Sequence, residues 1–193
     1  MPTRTYDSPK RVAAAVEKRD RVVEAASRVL SARTDIAAFS LDAVAKAAGV
    51  TRLTVYNQFG SRRGLLEAVF DARARRGGLG RIAEAMTLAD PRAGLDRLVE
   101  IFCDFWGDDP AAGALHAAAA LDTEFALALA ERHERRREAI RVLIGRLPLD
   151  DAQDAVDLVF ALTSFALFDM IRPGRSKEAV CALLKSACAA ALR

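Results

Sequence analysis

The sequence predicts an all-α protein of about nine helices, arranged as a small N-terminal head and a larger C-terminal body. Three observations predict this class. Alanine, the strongest helix former, is abundant, whereas the 193 residues include only 11 glycines and 6 prolines. Apolar residues recur three and four positions apart along most of the chain, and no segment has the alternation of a strand. Helix-capping residues precede most of these apolar stretches.

The head is expected to contain four helices. The first runs from about Val12 to Ala32, where apolar residues repeat at helical spacing. Ser40 is the N-cap of a second helix that Gly49 ends, and Thr51 and Ser61 cap the third and fourth. The third helix is expected to turn three side chains inward: Val55, Tyr56 and Phe59.

The body is expected to contain the other five helices. Asp-Pro pairs at 90–91 and 109–110 each combine an N-cap with proline at the first helical position. A long helix follows over 123–146, and another runs from 150 or 151 through Phe168 and stops before 173–174. Ser176 caps the last helix.

The GGLG segment at 77–80 interrupts the helical pattern and sets the expected domain boundary. We expect a flexible basic arm over 1–15, a helix-turn-helix head over 16–76 and a helical body over 77–193. Residues 1–76 carry 15 Lys and Arg against 8 Asp and Glu, a net charge of +7, and the remainder is −4. This asymmetry favours a head that binds a polyanion. An ordinary solvated surface is the alternative.

The segment from Ser40 to Phe59 has the spacing of a helix-turn-helix, with Gly49 permitting the sharp turn. The outer face of the second helix is expected in a DNA major groove, where Arg52, Thr54 and Asn57 are the main base readers. Hydroxyl groups and the Arg62 guanidinium suit phosphate oxygens. A purely structural hairpin is the alternative. The expected DNA-binding residues are Ser40, Thr51, Arg52, Leu53, Thr54, Tyr56, Asn57, Gln58 and Arg62.

The stretch AGVTRLTVYNQFGSRRGLL resembles the signature of the tetracycline-repressor (TetR) family of one-component bacterial regulators. The match includes Thr51 and Val55 as conservative replacements, and the resemblance covers about residues 16–70. Arg62 and Arg63 depart from the family's usual Lys and acidic residue, and Leu53 stands where a small residue is common. Arg63 either has a phosphate nearby or is an ordinary solvated arginine. The identical positions are Ala48, Gly49, Val50, Tyr56, Phe59, Ser61 and Leu65.

The resemblance implies that residues 77–193 bind a small-molecule effector and form a homodimer that places two heads on a palindromic operator. The effector would release a repressor from double-stranded DNA. Asp104 or Asp169 is a candidate for selecting a cationic or hydroxyl-bearing effector. For every residue of the pocket and dimer sets below, core packing is the alternative. The expected pocket residues are Phe102, Phe105, Trp106, His116, Phe125, Phe165, Phe168 and Asp169. The expected dimer residues are Val156, Val159, Phe160, Thr163, Leu167, Val180, Leu183, Leu184, Ala187 and Ala191.

Other classes of protein find little support in the sequence. No hydrolase, zinc-protease or dinucleotide-binding motif is present, so we expect no enzyme, no catalytic residues, no cofactor and no metal. There is no signal-peptide core and no apolar run of about 18 residues, so we expect a cytoplasmic protein without membrane contact. A helical DNA-binding or architectural module without a ligand is the alternative. The effector, the operator sequence and the sign of regulation are left open.

Overall fold

The computed structural model describes residues 9–32, 39–108 and 112–192. They contain eleven α-helices and no strand, so the all-α class is confirmed and the expected count of nine is corrected. The chain divides into two compact units, Met1–Phe70 and Asp71–Arg193. In the described part of the chain, no helix is long and apolar enough to cross a membrane.

The first unit contains α1 (Pro9–Ala32), α2 (Leu41–Ala48), α3 (Arg52–Phe59) and the start of α4 (Arg62–Arg76). Residues 9–15, expected in a flexible arm, are therefore helical, and the rest of that arm lies outside the described residues. The core is made of side chains that are fully or almost fully buried, from all four helices: Val22, Ala26, Leu30, Val44, Val55, Leu65, Leu66 and Val69.

The second unit is organised around α6, which packs against α5, α8 and α11. The helix α8 also packs against α7 and α9. A short 3₁₀ turn, Leu79–Arg81, precedes the first of these helices. The helices are α5 (Ile82–Thr87), α6 (Pro91–Gly107), α7 (Ala112–Leu121), α8 (Thr123–Ile144), α9 (Ala152–Leu162), α10 (Phe165–Ile171) and α11 (Lys177–Ala191).

The helix α5 is one of the two that the sequence pattern did not predict. It has six residues, fewer than two turns, and so shows no apolar periodicity of its own. Tertiary contacts stabilise it, since Ala85 is fully buried. Arg146 donates to the carbonyl oxygens of Leu88 and Ala89, at 2.6 and 2.9 Å, just beyond the end of the helix.

The second unpredicted feature is a break at Thr163, which divides the helix expected from 150 through Phe168 into α9 and α10. The Thr163 carbonyl oxygen accepts hydrogen bonds from Trp106 Nε1, at 3.0 Å, and from Arg136 Nη1, at 2.9 Å. Both donors come from other helices. The Thr163 carbonyl oxygen therefore accepts tertiary hydrogen bonds instead of an intrahelical one. Ser164 then caps α10 by accepting from the Leu167 amide.

Candidate nucleic-acid interface and ligand site

The turn between α2 and α3 is fixed by backbone geometry and side-chain caps. Gly49 has a φ of +66°, a left-handed conformation that side chains disfavour. The three predicted caps are confirmed: Ser40 accepts from the Ala43 amide, Thr51 from the Thr54 amide and Ser61 from the Gly64 amide. The orientation of α3 on α2 is therefore set by local contacts.

The outer face of α3 is exposed and carries large side chains. Leu53 is 65% exposed and Tyr56 is 54% exposed, and Arg52 and Asn57 are exposed beside them. On the opposite face Val55 is fully buried, so the helix has one anchored and one open side. Tyr56 was expected to point inward, and this is corrected. At about 100° per residue, Tyr56 follows Leu53 on the outer face, whereas Val55 precedes Phe59 on the inner one.

The remaining predicted contact residues are less exposed. Ser40 and Thr54 are half-buried, while Thr51 is exposed, with its hydroxyl oxygen 3.0 Å from that of Thr54. Gln58 differs from the expectation because it is half-buried and its amide oxygen is buried without a hydrogen-bond partner among the described residues. An amide oxygen that is turned inward cannot accept a hydrogen bond from a base edge. Among the predicted DNA-binding residues of α3, Gln58 is therefore the least suited to that role.

Two arginines at the start of α4 have partners within the protein. Arg62 is half-buried, and its Nε donates to the Phe39 carbonyl oxygen at 3.1 Å. Its guanidinium also lies over the Phe39 ring, 5.8 Å from the centroid. Arg63 forms an ion pair with Glu67 one turn later, which accounts for a basic residue at this helix start without a phosphate. Arg62 therefore braces the segment that leads into α2.

Arg19 of α1 has a bracing role that the sequence analysis missed. Its Nη1 donates to the Gln58 carbonyl oxygen at 2.8 Å, and its guanidinium lies 4.3 Å from the centroid of the Phe59 ring. Both contacts hold the C-terminal end of α3. Arg19 stands in the charged run EKRDR and looked solvated, but it lies three and four positions before the buried Val22 and Val23. This spacing places Arg19 near the buried side of α1 and could have indicated a contact inside the first unit.

An ion pair links the two helices of the motif on the open side. Arg52 Nε lies 3.6 Å from Asp42 Oδ2, and both side chains are about two-thirds exposed, at 68% and 66%. A surface pair of this kind contributes little stability. The pair places the Arg52 guanidinium beside Asp42 of α2.

The second unit contains an aromatic cluster centred on Trp106. The Trp106 ring lies 4.5 Å from that of Phe105 and 5.6 Å from those of His116 and Phe165, between centroids. Phe102 also stacks on Trp106, at 6.0 Å. The structure thus brings together five of the eight expected pocket residues.

The other three expected pocket residues do not belong to the Trp106 cluster. Phe125 and Phe168 are buried in the core, at 0% and 2% exposure. Asp169 is about half exposed and pairs with Arg172 at 3.1 Å, on the surface. Asp104, the other acidic candidate, forms ion pairs with Arg81 and Lys177, each at 3.0 Å. Since both carboxylates already have cationic partners, neither supports the expected selection of a cationic effector.

Buried basic groups on α8 adjoin this cluster and were not predicted. Arg136 is 5% exposed, and its guanidinium lies 4.3 Å from the ring centroid of Phe160 and 5.4 Å from that of Phe102. The His133 ring stacks on that of His116, with centroids 5.8 Å apart. Burial lowers the pKa of Arg136 to about 10 and that of His133 to about 4. Both residues belong to the run ERHERRRE, which has the composition of a solvated helix face, but Arg136 and the His133 Nε2 atom are buried.

The expected dimer residues divide between core and surface. Five of them are buried within the unit and belong to its own core, which corrects the expectation for them: Val156, Val159, Thr163, Val180 and Leu184. Leu183 is 46% exposed, and Leu158, which was not predicted, is 52% exposed. The others are half-buried: Phe160, Leu167, Ala187 and Ala191.

A groove of about 380 Å³ lies between α6 and α11. Its charged groups pair across it, Asp104 with Lys177 and Glu100 with Lys185. Lys185 lowers the pKa of Glu100, and Lys177 and Arg81 lower that of Asp104. In return, Glu100 raises the pKa of Lys185, and Asp108 and Asp104 raise that of Lys177. No group of three or more His, Cys, Asp or Glu side chains in the described ranges is placed to hold a metal ion.

A short helix, a left-handed glycine turn and a second helix with one open face define the first unit as a helix-turn-helix domain. Residues 22–69 match the family model described as bacterial regulatory proteins, tetR family. The match lies within the first unit, and over these residues the chain is similar to this family.

Two curated transcriptional regulators match parts of the chain. The chain is 49% identical over 49 residues to the HTH-type transcriptional regulator AlkX of Mycobacterium tuberculosis, covering 25% of this chain and 23% of AlkX. It is 31% identical over 111 residues to the HTH-type transcriptional regulator EthR of Mycolicibacterium smegmatis, covering 56% of this chain and 51% of EthR. The chain thus spans about a quarter and about half of the lengths of these relatives.

Solved structures share the fold at low sequence identity. A TetR-family regulator from Rhodococcus sp. aligns over 92% of this chain and 100% of its own, with a TM-score of 0.70 and 22% identity. A cysteine mutant of the TetR-family regulator CifR, solved with 26-base-pair operator DNA, aligns over 89% and 95%, with a TM-score of 0.66 and 21% identity.

Proposed function

We propose that this chain is a transcriptional regulator that binds a palindromic operator as a homodimer through the outer face of α3. The observation that carries the proposal is the exposure of Leu53 and Tyr56 beside Arg52 and Asn57, on a helix whose inner face is anchored. This face therefore combines apolar and hydrogen-bonding groups on one exposed helix surface, as reading of base edges requires. The DNA complex of CifR, which has a similar fold, agrees with this reading.

The chemistry of this face suits base edges in a major groove. The Arg52 guanidinium matches the two acceptors of guanine, and the Asn57 amide matches the donor and acceptor of adenine. Leu53 and Thr54 offer methyl groups to thymine. The Ser40 and Tyr56 hydroxyl groups can donate to phosphate oxygens, because Ser40 caps α2 with its oxygen and not its proton. Thr51 can do the same when Thr54 is the donor in the contact between their hydroxyl groups.

The second unit is assigned the sensing role. An effector bound at the Trp106 cluster would release a repressor from DNA only if it had different affinities for the DNA-bound and free states. The exposed Leu158 and Leu183 favour α9 and α11 as the surface on which two copies meet. Such a regulator would act in the bacterial cytoplasm, where the chromosome is, and would need no enzymatic activity.

Selection of binding sites from random palindromes, followed by titration of the selected duplex, tests the proposal. We expect Arg52→Ala and Asn57→Ala each to weaken binding by about 5- to 100-fold and to relax preference at one base pair per half-site. Arg28→Ala is the matched control, since it removes an exposed cation from α1. Affinity should also fall steeply with rising salt.

Two outcomes would count against this reading. Equal losses in Arg28→Ala and Arg52→Ala would assign the binding to general positive charge. Affinity for DNA with no selected sequence would instead support an architectural role.

A further inference from the structure

The buried titratable groups next to the Trp106 cluster are basic, whereas the nearby Asp169 carboxylate lies on the surface, where it pairs with Arg172. Arg136 and His133 lie three residues apart on one face of α8, and His116 reaches them from α7. Arg136 forms no ion pair with any carboxylate in the described residues, and its recorded partners are one carbonyl and two aromatic rings. This part of the second unit therefore has an excess of buried positive charge.

Two hydrogen-bonding atoms of this group are unsatisfied. Arg136 Nε and His133 Nε2 are buried, and neither has a hydrogen-bond partner in the described ranges. Buried polar atoms in folded proteins nearly always have partners, and a buried cation without a counter-ion is among the most costly arrangements. The contact of Arg136 Nη1 with the Thr163 carbonyl explains one nitrogen of the guanidinium but not its Nε.

His116 differs from His133 in its bonding. Its Nδ1 lies 2.9 Å from the Ala112 carbonyl oxygen, which can only accept, so this nitrogen carries the proton. The Phe165 ring, stacked 4.4 Å away, and Trp106 form an apolar wall beside the histidines. The group thus combines two unused polar positions with an aromatic surface, as ligand sites generally do.

We propose that the effector is an organic anion, with a carboxylate held by Arg136 and His133 and an apolar body packed against Trp106 and Phe165. This inference rests on the proposed sensing role of the second unit. A carboxylate supplies the counter-charge that Arg136 lacks and accepts from both unsatisfied atoms. A cationic effector is disfavoured, because Arg136 has no carboxylate partner among the described residues and the nearby Asp169 is already paired with Arg172.

The test uses carboxylates and their neutral amides as probes on the full chain. Benzoate and octanoate should each change the fluorescence of Trp106, the single tryptophan of the chain, in a saturable way, and should raise the melting temperature. Benzamide and octanamide, of nearly the same shape, should bind at least tenfold more weakly. Equal effects of acid and amide, or no effect of either at millimolar concentration, would overturn the proposal.

Variants of α8 then identify the positive charge that binds the carboxylate. Arg136→Gln and Arg136→Met should each reduce carboxylate affinity at least tenfold. Arg141→Gln, which removes a more exposed cation from the same helix, should leave that affinity unchanged. A matching loss in Arg141→Gln would assign binding to the general charge of α8. The acid–amide comparison needs only the unmodified protein, so it stands even if Arg136 variants fold poorly.

The two proposals fail separately. Probe binding is measured without DNA, and operator binding is measured without probe. Operator binding without carboxylate binding would overturn the anion site alone. Carboxylate binding without operator binding would overturn the proposed function alone.

Discussion

The outer face of α3 in the first unit places two large exposed side chains beside polar groups, whereas the Trp106 cluster of the second unit adjoins a buried arginine. In the first, Leu53 and Tyr56 face solvent, and the arginines that brace α3 and its neighbours donate to carbonyl oxygens. In the second, Arg136 is enclosed by aromatic rings, and part of its guanidinium has no partner among the described residues. A buried arginine without a carboxylate partner is the more unusual of the two, because exposed leucines are common on protein surfaces.

The largest expected effect comes from placing a negative charge on the exposed apolar surface of α3. Leu53→Glu should reduce operator affinity on the order of 100-fold, because a carboxylate would face the phosphate backbone and a leucine contact would be lost. Stability should change by less than about 0.5 kcal/mol, since the side chain is 65% exposed. Fluorescence anisotropy with labelled operator and chemical denaturation measure the two quantities.

Leu127→Glu is the control for that experiment. Leu127 is 64% exposed on α8 of the second unit and matches Leu53 in side chain and accessibility. If Leu127→Glu and Leu53→Glu lost the same operator affinity, the result would contradict a specific DNA contact of Leu53.

The next effect concerns the close contact that anchors α4 to the end of α3. A Cβ atom on Gly64 would lie 2.1 Å from the Phe59 carbonyl oxygen, so the backbone must shift to accept one. Gly64→Ala should lower the free energy of unfolding by about 1–3 kcal/mol. Gly80→Ala has open space at the corresponding position and should be neutral, and an equal loss there would contradict the explanation.

The smallest effect is a dependence of stability on pH that belongs to the second unit. Burial and the neighbouring Arg136 and His116 lower the pKa of His133 to about 4, from an ordinary value of 6.5. The unfolded chain therefore binds the proton first as pH falls from 6.5 towards 4, and the folded state loses stability over that window. Between pH 7 and pH 4.5, we expect the free energy of unfolding of His133→Gln to fall by about 1 kcal/mol less than that of the unmodified protein. Denaturation at the two pH values measures both.

An unchanged pH dependence in His133→Gln would show that His133 is accessible in the folded protein. His116 is the natural second probe, because burial lowers its pKa as well while its Nδ1 remains bonded to Ala112.

The first unit was largely predictable because its determinants are local in sequence. Gly49, Ser40 and Thr51 each act within four residues, so caps and turn are visible in the chain itself. The error at Tyr56 came from grouping it with Val55 and Phe59 on the inner face, although it lies one turn after the exposed Leu53. The boundary at 76 and the DNA-contact roles stay predictions.

The second unit was less predictable because tertiary contacts decide it. His133 and Arg136 stand in a run of charged residues that has the composition of a solvated surface, and only the packing of α6, α7 and α9 around α8 shows which members are enclosed. In the same way, no local pattern distinguishes the buried Val156 and Val180 from residues that a second copy of the chain would cover.

The break at Thr163 has a consequence for the order of folding. Its carbonyl oxygen is bonded to residues 57 and 27 positions earlier in the chain, and neither donor is available until α6 and α8 have packed. A peptide of residues 150–172 contains the Ser164 cap but lacks both donors. Within it the two segments are free to join as one helix, so the separation of α9 from α10 is a late event that records completed assembly of the second unit.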